Sequence, residues 1–386
     1  MTIMSNLHVP FFRPSITDDE ITEVVKCMKS GWLTTGPNAI EFEKEFEALY
    51  DDGIHAIAVN SATAALHLGL EAMGISEGDE VIVPTLTFTA TAEVVRYLGA
   101  NPIFVDIDRK TFGIDLESIR AAITPKTKAI MPVHFAGRAC DMTALRVLAD
   151  EYGLKILDDA AHALPTRHAG KLIGDIGADA TAFSFYANKT MTTGEGGMLV
   201  TRNADIAARA RVMRMHGIDR DVFNRFTDTK ASWMYDVVAP GFKYNLTDIA
   251  AAMGRVQLRK IDVFQNARER LVKRYKSAFA DLPVTLPADA ADGDTHSWHL
   301  FIIQVNEDAA MDRNELVAHL KKNNIGCSVH YRPLHQMTFW STGNGGNKFP
   351  NADAYFEGCI SLPLFMDMSD AEQDRVIDVV SKALLG

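Results

Sequence analysis

From His55 to Thr201 the chain alternates short apolar runs with longer stretches of helical periodicity, and this restricts the fold more than any other feature. The apolar runs are His55–Val59, Glu80–Pro84, Pro102–Ile107, Lys128–His134, Leu154–Asp159, Ala178–Ser184 and Gly197–Thr201. They are rich in Val and Ile and continuous rather than alternating, the pattern of strands buried on both faces. Between them lie helical stretches such as Ala64–Met73, Ala90–Leu98, Leu116–Ile123 and Met142–Tyr152. An α/β fold is expected, with a seven-stranded, mainly parallel sheet sandwiched by helices.

After Pro240 the pattern changes. Asn245-Leu-Thr247-Asp248 has the residue types of a helix start. An amphipathic series follows, with Ile249, Met253, Val256, Leu258, Ile261 and Phe264. One linking helix is expected here, leading into a small C-terminal α+β domain. That domain should hold strands near Ser297–Val305 and Gly326–His330 and a closing helix from Asp370 to Leu385. The expected division is residues 1–247 as a large domain and 248–386 as the linking helix plus the small domain.

A chain of 386 residues with 47% hydrophobic content can bury a core of this size. Its formal charge of −11 argues against a nucleic-acid partner, which needs clustered positive charge. It leaves room for a phosphorylated small molecule. The start, Met1–Pro14, lacks the basic and apolar regions of a signal peptide, and no apolar run is long enough for membrane insertion. Cys27, Cys140, Cys327 and Cys359 lie far apart, as free thiols in a reducing cytoplasm do. A cytoplasmic location is expected.

Chemistry concentrates around Lys189, on a short segment between two apolar runs. An amine held there loses hydration, its pKa falls, and the neutral form attacks an aldehyde. Thirty residues upstream, the run through Leu157 ends in Asp158 and Asp159. A nucleophilic lysine and a carboxylate at a strand's C-terminal end meet two needs of pyridoxal phosphate, a Schiff-base partner and an anion for the ring nitrogen. Taken alone, Asp159 fits a helix cap equally well, and Asp158 a solvent-facing residue.

The segment Asn60-Ser61-Ala62-Thr63-Ala64 joins a strand to a helix and reads either as a phosphate cup or as an ordinary N-cap. Ser184 offers a further hydroxyl. Phe88 is a candidate cover for a flat ring or a core residue. His134, His162, His330 and His335 fall near expected strand ends, with no spacing that suggests a metal. Gly194-Glu195-Gly196-Gly197 precedes a strand and lacks dinucleotide-loop spacing, so it is expected to reverse the chain beside the lysine.

The chain resembles the DegT/DnrJ/EryC1/StrS sugar aminotransferases, of fold type I, from Gly31-Trp32-Leu-Thr34-Thr-Gly-Pro37 to Ser361-Leu-Pro-Leu-Phe365. Intervening stretches that carry the likeness are Ile130-Met-Pro-Val-His134, Asp159-Ala-Ala-His162-Ala163, Pro240-Gly-Phe-Lys243-Tyr-Asn245-Leu-Thr-Asp248 and Trp298-His-Leu-Phe-Ile-Ile303. The resemblance implies that Lys189 carries pyridoxal 5'-phosphate and moves the proton. It implies that Asp159 pairs with the ring nitrogen, His162 lies beside the ring's phenolic oxygen and Phe88 stacks on the ring. Thr63, Ala64 and Ser184 would hold the phosphate, with Lys243 or Asn245 contributed across a homodimer that shares its active sites. Substrate contacts would come from His330, Arg332, Tyr186 and Thr34.

The implied reaction takes the amino group of glutamate to a nucleotide-linked 4-keto sugar of the UDP-4-keto-pentose or hexose type, for lipopolysaccharide or other cell-surface polysaccharide. Two departures matter, the first for the cross-subunit phosphate contact, which could fall to Lys243, to Asn245 or to both, and the second for the sugar. Many relatives read Gly-x-Asn-Tyr-Arg where this chain has Gly241-Phe-Lys243-Tyr-Asn245, and the lysine loop ends in Thr192-Thr-Gly-Glu-Gly-Gly197. A dehydratase branch replaces the lysine by histidine, whereas Lys189 is present. An amino-acid aminotransferase would need a carboxylate-binding arginine, for which Arg332 and Arg214 are the candidates. A non-catalytic ligand sensor of the same fold is the remaining alternative.

Overall fold

All seven apolar runs become strands of one sheet. The computed structural model describes residues 7–219, 235–341 and 348–386. Its first nine strands are β1 (His55–Val59), β2 (Glu80–Pro84), β3 (Asn101–Val105), β4 (Thr127–Ile130), β5 (Lys155–Asp159), β6 (Arg167–His168), β7 (Lys171–Leu172), β8 (Ala180–Ser184) and β9 (Gly197–Thr201). The large sheet runs β1-β9-β8-β5-β4-β2-β3, while β6 and β7 form a separate small hairpin. Strands β3, β2, β4, β5 and β8 are mutually parallel, and β9 is antiparallel to both β8 and β1. Six strands therefore point the same way, and their C-terminal ends share an edge with the start of β9.

Side chains alternate across this sheet as the pleat requires. Ile57, Val59, Leu157, Ala180, Ala182 and Leu199 join one buried cluster. Ala56, Ala58, Ile156, Phe183, Met198 and Val200 join the cluster on the opposite face. The same alternation sends Asp158 and Asp159 to opposite faces. Strand β4 stops at Ile130, short of the expected His134, because Pro132 has no amide to continue the ladder. An isolated bridge from Val133 to Asp159 resumes the pairing.

The helices begin where hydroxyl and carboxylate side chains can cap them. Ser61 accepts from the Ala64 amide at the start of helix Ala62–Ala72, and Thr247 accepts from the Ala250 amide at the start of Asp248–Arg259. The expected linking helix is two helices, Asp248–Arg259 and Ile261–Ala278. They break at Lys260, whose φ of −99° and ψ of 2° leave the helical region. Its ammonium is drawn to Glu20 and Asp19 of the first helix, Asp18–Ser30.

The second, smaller sheet is antiparallel in the order β10 (Val284–Thr285), β11 (Phe301–Val305) and β12 (Cys359–Leu362). Gly326–His330 was expected as one of its strands and is not one. Its backbone divides between two neighbours: the Gly326 amide bonds to the Val9 carbonyl at 2.8 Å, and Ser328 makes an isolated bridge to Ser361. Fully buried β12 takes the third place instead. A third apolar cluster lies here, built from Tyr275, Phe279, Phe301, Ile303, Leu316 and Val380, and Val9 packs into it.

Candidate active site

The shared edge of the large sheet opens onto a cavity of about 510 Å³. Ligands of open α/β sheets bind at such an edge because the connecting loops there converge from many strands. Ser61, Ala62 and Thr63 reach it after β1, Thr87 and Phe88 after β2, and Val133 after β4. Asp159, Ala161 and His162 come from β5, and Ser184, Tyr186, Asn188 and Lys189 from β8 and the loop beyond it. Glu195 and Gly196 enter just before β9, and His330 and Tyr331 close it from the C-terminal part of the chain.

The loop carrying Lys189 is pinned at its neck. The Phe185 amide bonds to the Gly196 carbonyl, and the Thr193 amide to the Phe185 carbonyl, both at 2.9 Å. Gly194 turns the chain with φ +81°. Gly197 must be glycine because an added Cβ would lie 2.6 Å from the Ser61 carbonyl carbon, so β9 and the Ser61 turn close tightly on one another. Phe185 anchors the neck against Phe42 and Phe46. The loop holds Lys189 half-buried, facing the cavity. Desolvation pushes its amine down to about 8, and the Asp159 carboxylate opposes that fall.

Asp159 is almost wholly buried and accepts from the Thr91 hydroxyl at 2.8 Å and the Ala161 amide at 3.1 Å. Burial raises its carboxyl above the usual range despite those donors. His162 lies 3.2 Å from the Tyr331 hydroxyl through Nε2, and its Nδ1 is buried without a partner among the described residues. Desolvation and the nearby Lys189 hold its imidazole neutral. His330 is lowered to about 4 by burial and by Lys189, and pairs with the Ser361 hydroxyl. Asn188 Oδ1 is likewise buried and unpartnered. The Ser61 hydroxyl takes the Ala64 amide and the Ser61 carbonyl takes the Ala65 amide, so the Ala62 and Thr63 amides remain to face an anion.

The cavity therefore brings together Lys189, Asp159, His162, Ser184, Thr63, Phe88, Tyr186 and His330. Ala64 stays behind the helix turn, with its amide on Ser61. Lys243 and Asn245 pair with each other, and Asn245 also donates to Thr35; neither lines this chain's cavity. Thr34 is exposed on another loop, where its carbonyl accepts from the Asp248 amide. Arg332 is exposed and donates to the Gln336 carbonyl. Arg214 is fastened to Glu43 and the Ala58 carbonyl, away from the cavity. Tyr331, Asn188, Thr87 and Thr91 are not singled out by the sequence, since none belongs to a motif with a chemical signature; the Thr-x-x-x-Thr spacing that runs from the loop after β2 into helix Ala90–Tyr97 is the signal that could have found the paired hydroxyls.

Asp158, for which a solvent-facing position is one of the readings the sequence allows, is fully buried on the opposite face. It lies 3.4 Å from His134 Nε2 and accepts from the Thr181 hydroxyl. Burial disfavours the imidazolium, but the Asp158 carboxylate outweighs it and pushes His134 up to about 10.

A model of the DegT/DnrJ/EryC1/StrS aminotransferase family matches residues 14–381. The chain is 45% identical over 385 residues to the spore coat polysaccharide biosynthesis protein SpsC of Bacillus subtilis (strain 168), covering 99% of this chain and 98% of that one. Spr1654 from Streptococcus pneumoniae, solved in PMP and PLP forms, is similar with a TM-score of 0.89 at 36% identity over 98% of both chains. PseC of Helicobacter pylori, an aminotransferase involved in pseudoaminic acid biosynthesis, has a TM-score of 0.89 at 26% identity, covering 98% of this chain and 100% of that chain. The architecture shared with these structures is fold type I. The chain belongs to the DegT/DnrJ/EryC1/StrS aminotransferase family.

Proposed function

We propose that this chain uses pyridoxal 5'-phosphate to move the amino group of glutamate onto a nucleotide-linked 4-keto sugar, in the synthesis of an amino sugar for a surface polysaccharide. The observation that carries this reading is one cavity walled by both a desolvated amine, Lys189, and a buried carboxylate, Asp159. The unused polar atoms suit the cofactor. The Ala62 and Thr63 amides and the Ser184 hydroxyl, whose oxygen also takes the Tyr186 amide at 3.4 Å, suit a phosphate, and a His162 nitrogen and an Asn188 oxygen without partners among the described residues remain for the ring's polar edge. When bound, the cofactor supplies an aldehyde that carries the amino group and a ring that takes up an electron pair.

Lys189 acts first as the amine that holds the cofactor and then as the base that moves a proton to or from the reacting carbon. Asp159 keeps the ring nitrogen protonated. Phe88, 57% exposed at the cavity mouth, covers the ring. Tyr186 and His330 face the sugar. Lys243 or Asn245 serves the partner subunit's site in a homodimer, which explains their distance from this chain's own cavity. Arg332 and Thr34 reach substrate from the rim or across that same interface. Both half-reactions use one site, so the kinetics are ping-pong. The relatives SpsC and PseC support a sugar acceptor, since polysaccharide and pseudoaminic acid synthesis are theirs.

The test is spectroscopic. Glutamate should bleach the visible band of the holoenzyme and release 2-oxoglutarate. A panel of UDP-, dTDP- and GDP-linked 4-keto sugars should then contain one that restores the band. Bleaching without recovery by any member of the panel, alongside recovery by a 2-oxo acid other than 2-oxoglutarate, would replace the sugar reading by an amino-acid aminotransferase.

A further inference from the structure

Asp159 is joined to the cavity wall by two buried hydroxyls. Thr87 lines the cavity, its Oγ1 lies 2.7 Å from Thr91 Oγ1, and Thr91 Oγ1 lies 2.8 Å from Asp159 Oδ2. Neither threonine is more than 1% exposed. Thr87 follows β2, Thr91 sits in helix Ala90–Tyr97, and Asp159 ends β5, so the line ties three separate elements. It is not a helix cap: the hydroxyl of Thr89, at that helix's start, goes to Glu93.

Proton counting gives the line a direction. A carboxylate only accepts, so the single hydroxyl proton of Thr91 goes to Asp159. Thr91 must then accept from Thr87. With its own proton engaged, Thr87 presents only lone pairs to the cavity. The direction reverses only if Asp159 becomes a neutral acid and donates. Asp159's other oxygen takes the Ala161 amide, so both oxygens are fixed. Among the described residues, the ionisable groups acting on it include Lys189 from the β8–β9 loop, His134 after β4 and Tyr331 from the C-terminal part of the chain; from the helix side the Thr91 hydroxyl reaches it.

We propose that Thr91, backed by Thr87, is a positioning residue that holds Asp159 in one orientation as an anion and so keeps the cofactor's ring nitrogen protonated. This rests on the cofactor assignment made above. Burial drives Asp159 toward its neutral form, and the Thr91 hydroxyl is the foremost influence acting against it. A hydrogen bond to a charged group is worth enough that its loss weakens binding about tenfold or more.

The experiment compares wild type, Thr91→Val, Thr91→Ser and Thr87→Val. Each apoprotein is titrated with pyridoxal phosphate by visible absorbance, and the ring nitrogen's protonation is read by ¹⁵N NMR of labelled cofactor. Thermal melting of the apoproteins reports folding. Thr91→Ser should behave as wild type. Thr91→Val should bind about tenfold or more weakly, with its nitrogen resonance displaced toward the unprotonated position. Thr87→Val should fall between them. Wild-type affinity and resonance in Thr91→Val would overturn the relay while leaving the site intact. Failure of wild type itself to bind would overturn the cofactor assignment, and the relay with it. If Thr91→Val does not fold, Thr87→Val decides: matching Thr91→Ser in both readouts, it refutes the proposal.

Discussion

At the end of β5 two consecutive carboxylates meet opposite fates, because the pleat turns them to opposite faces of the sheet. Asp158 points into the face that holds Ile156, Phe183 and Val200, where His134 and Thr181 close around it. Asp159 points to the face where the loops part, and it meets two hydrogen-bond donors and, across the cavity, an amine instead of a packed cation. Both are buried, and only one faces space that a ligand can enter. Burial alone does not make a carboxylate functional. What distinguishes Asp159 is that its charge is left for something else to balance.

Substitutions can break that contrast on either side. The largest effect belongs to Lys189→Ala, which removes both the proposed attachment point and the proposed proton carrier. Transamination rate should fall by at least about a thousandfold, measured as 2-oxoglutarate release. Asp159→Asn removes the anion proposed to face the ring nitrogen, and should lower turnover by about a hundredfold or more while the apoprotein's melting temperature changes little. Asp158→Asn should do the reverse. It strands His134 beside a neutral partner, so denaturant unfolding should show a loss of about 3–5 kcal/mol. Cofactor affinity per folded molecule should be nearly unchanged. If the two asparagine variants behave alike, the contrast between the faces fails.

A smaller effect concerns pH. The amine of Lys189 in the apoprotein is lowered from the usual lysine range to about 8, so its reactive neutral form appears as pH rises through that value. The rate at which apoprotein captures an aldehyde should climb between about pH 7 and 9 and then level off. A rate still climbing steeply near pH 10 would mean that burial does not depress this amine.

The sheet was legible because its strands are buried on both faces and leave uninterrupted apolar runs. β1, β2 and β9 match their expected bounds to the residue. The smaller sheet was harder to read. β12 is a four-residue strand, Cys-Ile-Ser-Leu, with no periodicity long enough to register, while Gly326–His330 looked strand-like but divides its backbone between two partners. The break at Lys260 falls within an unbroken amphipathic pattern. In the site, Lys189 and Asp159 stood out because a lysine loop and a carboxylate strand end are chemically distinctive together. Tyr331 arrives from far along the chain, and Thr91 acts through another side chain. Tertiary placement alone reveals them.

The central claim is that the amine of Lys189 is the attachment point for pyridoxal phosphate. It is tested most directly by borohydride reduction of the loaded protein followed by peptide mapping. The account predicts one phosphopyridoxyl group per chain, on the peptide containing Lys189, retained in Asp158→Asn and lost in Lys189→Ala. A label on any other lysine, or none on a chain that has taken up the cofactor, would contradict it.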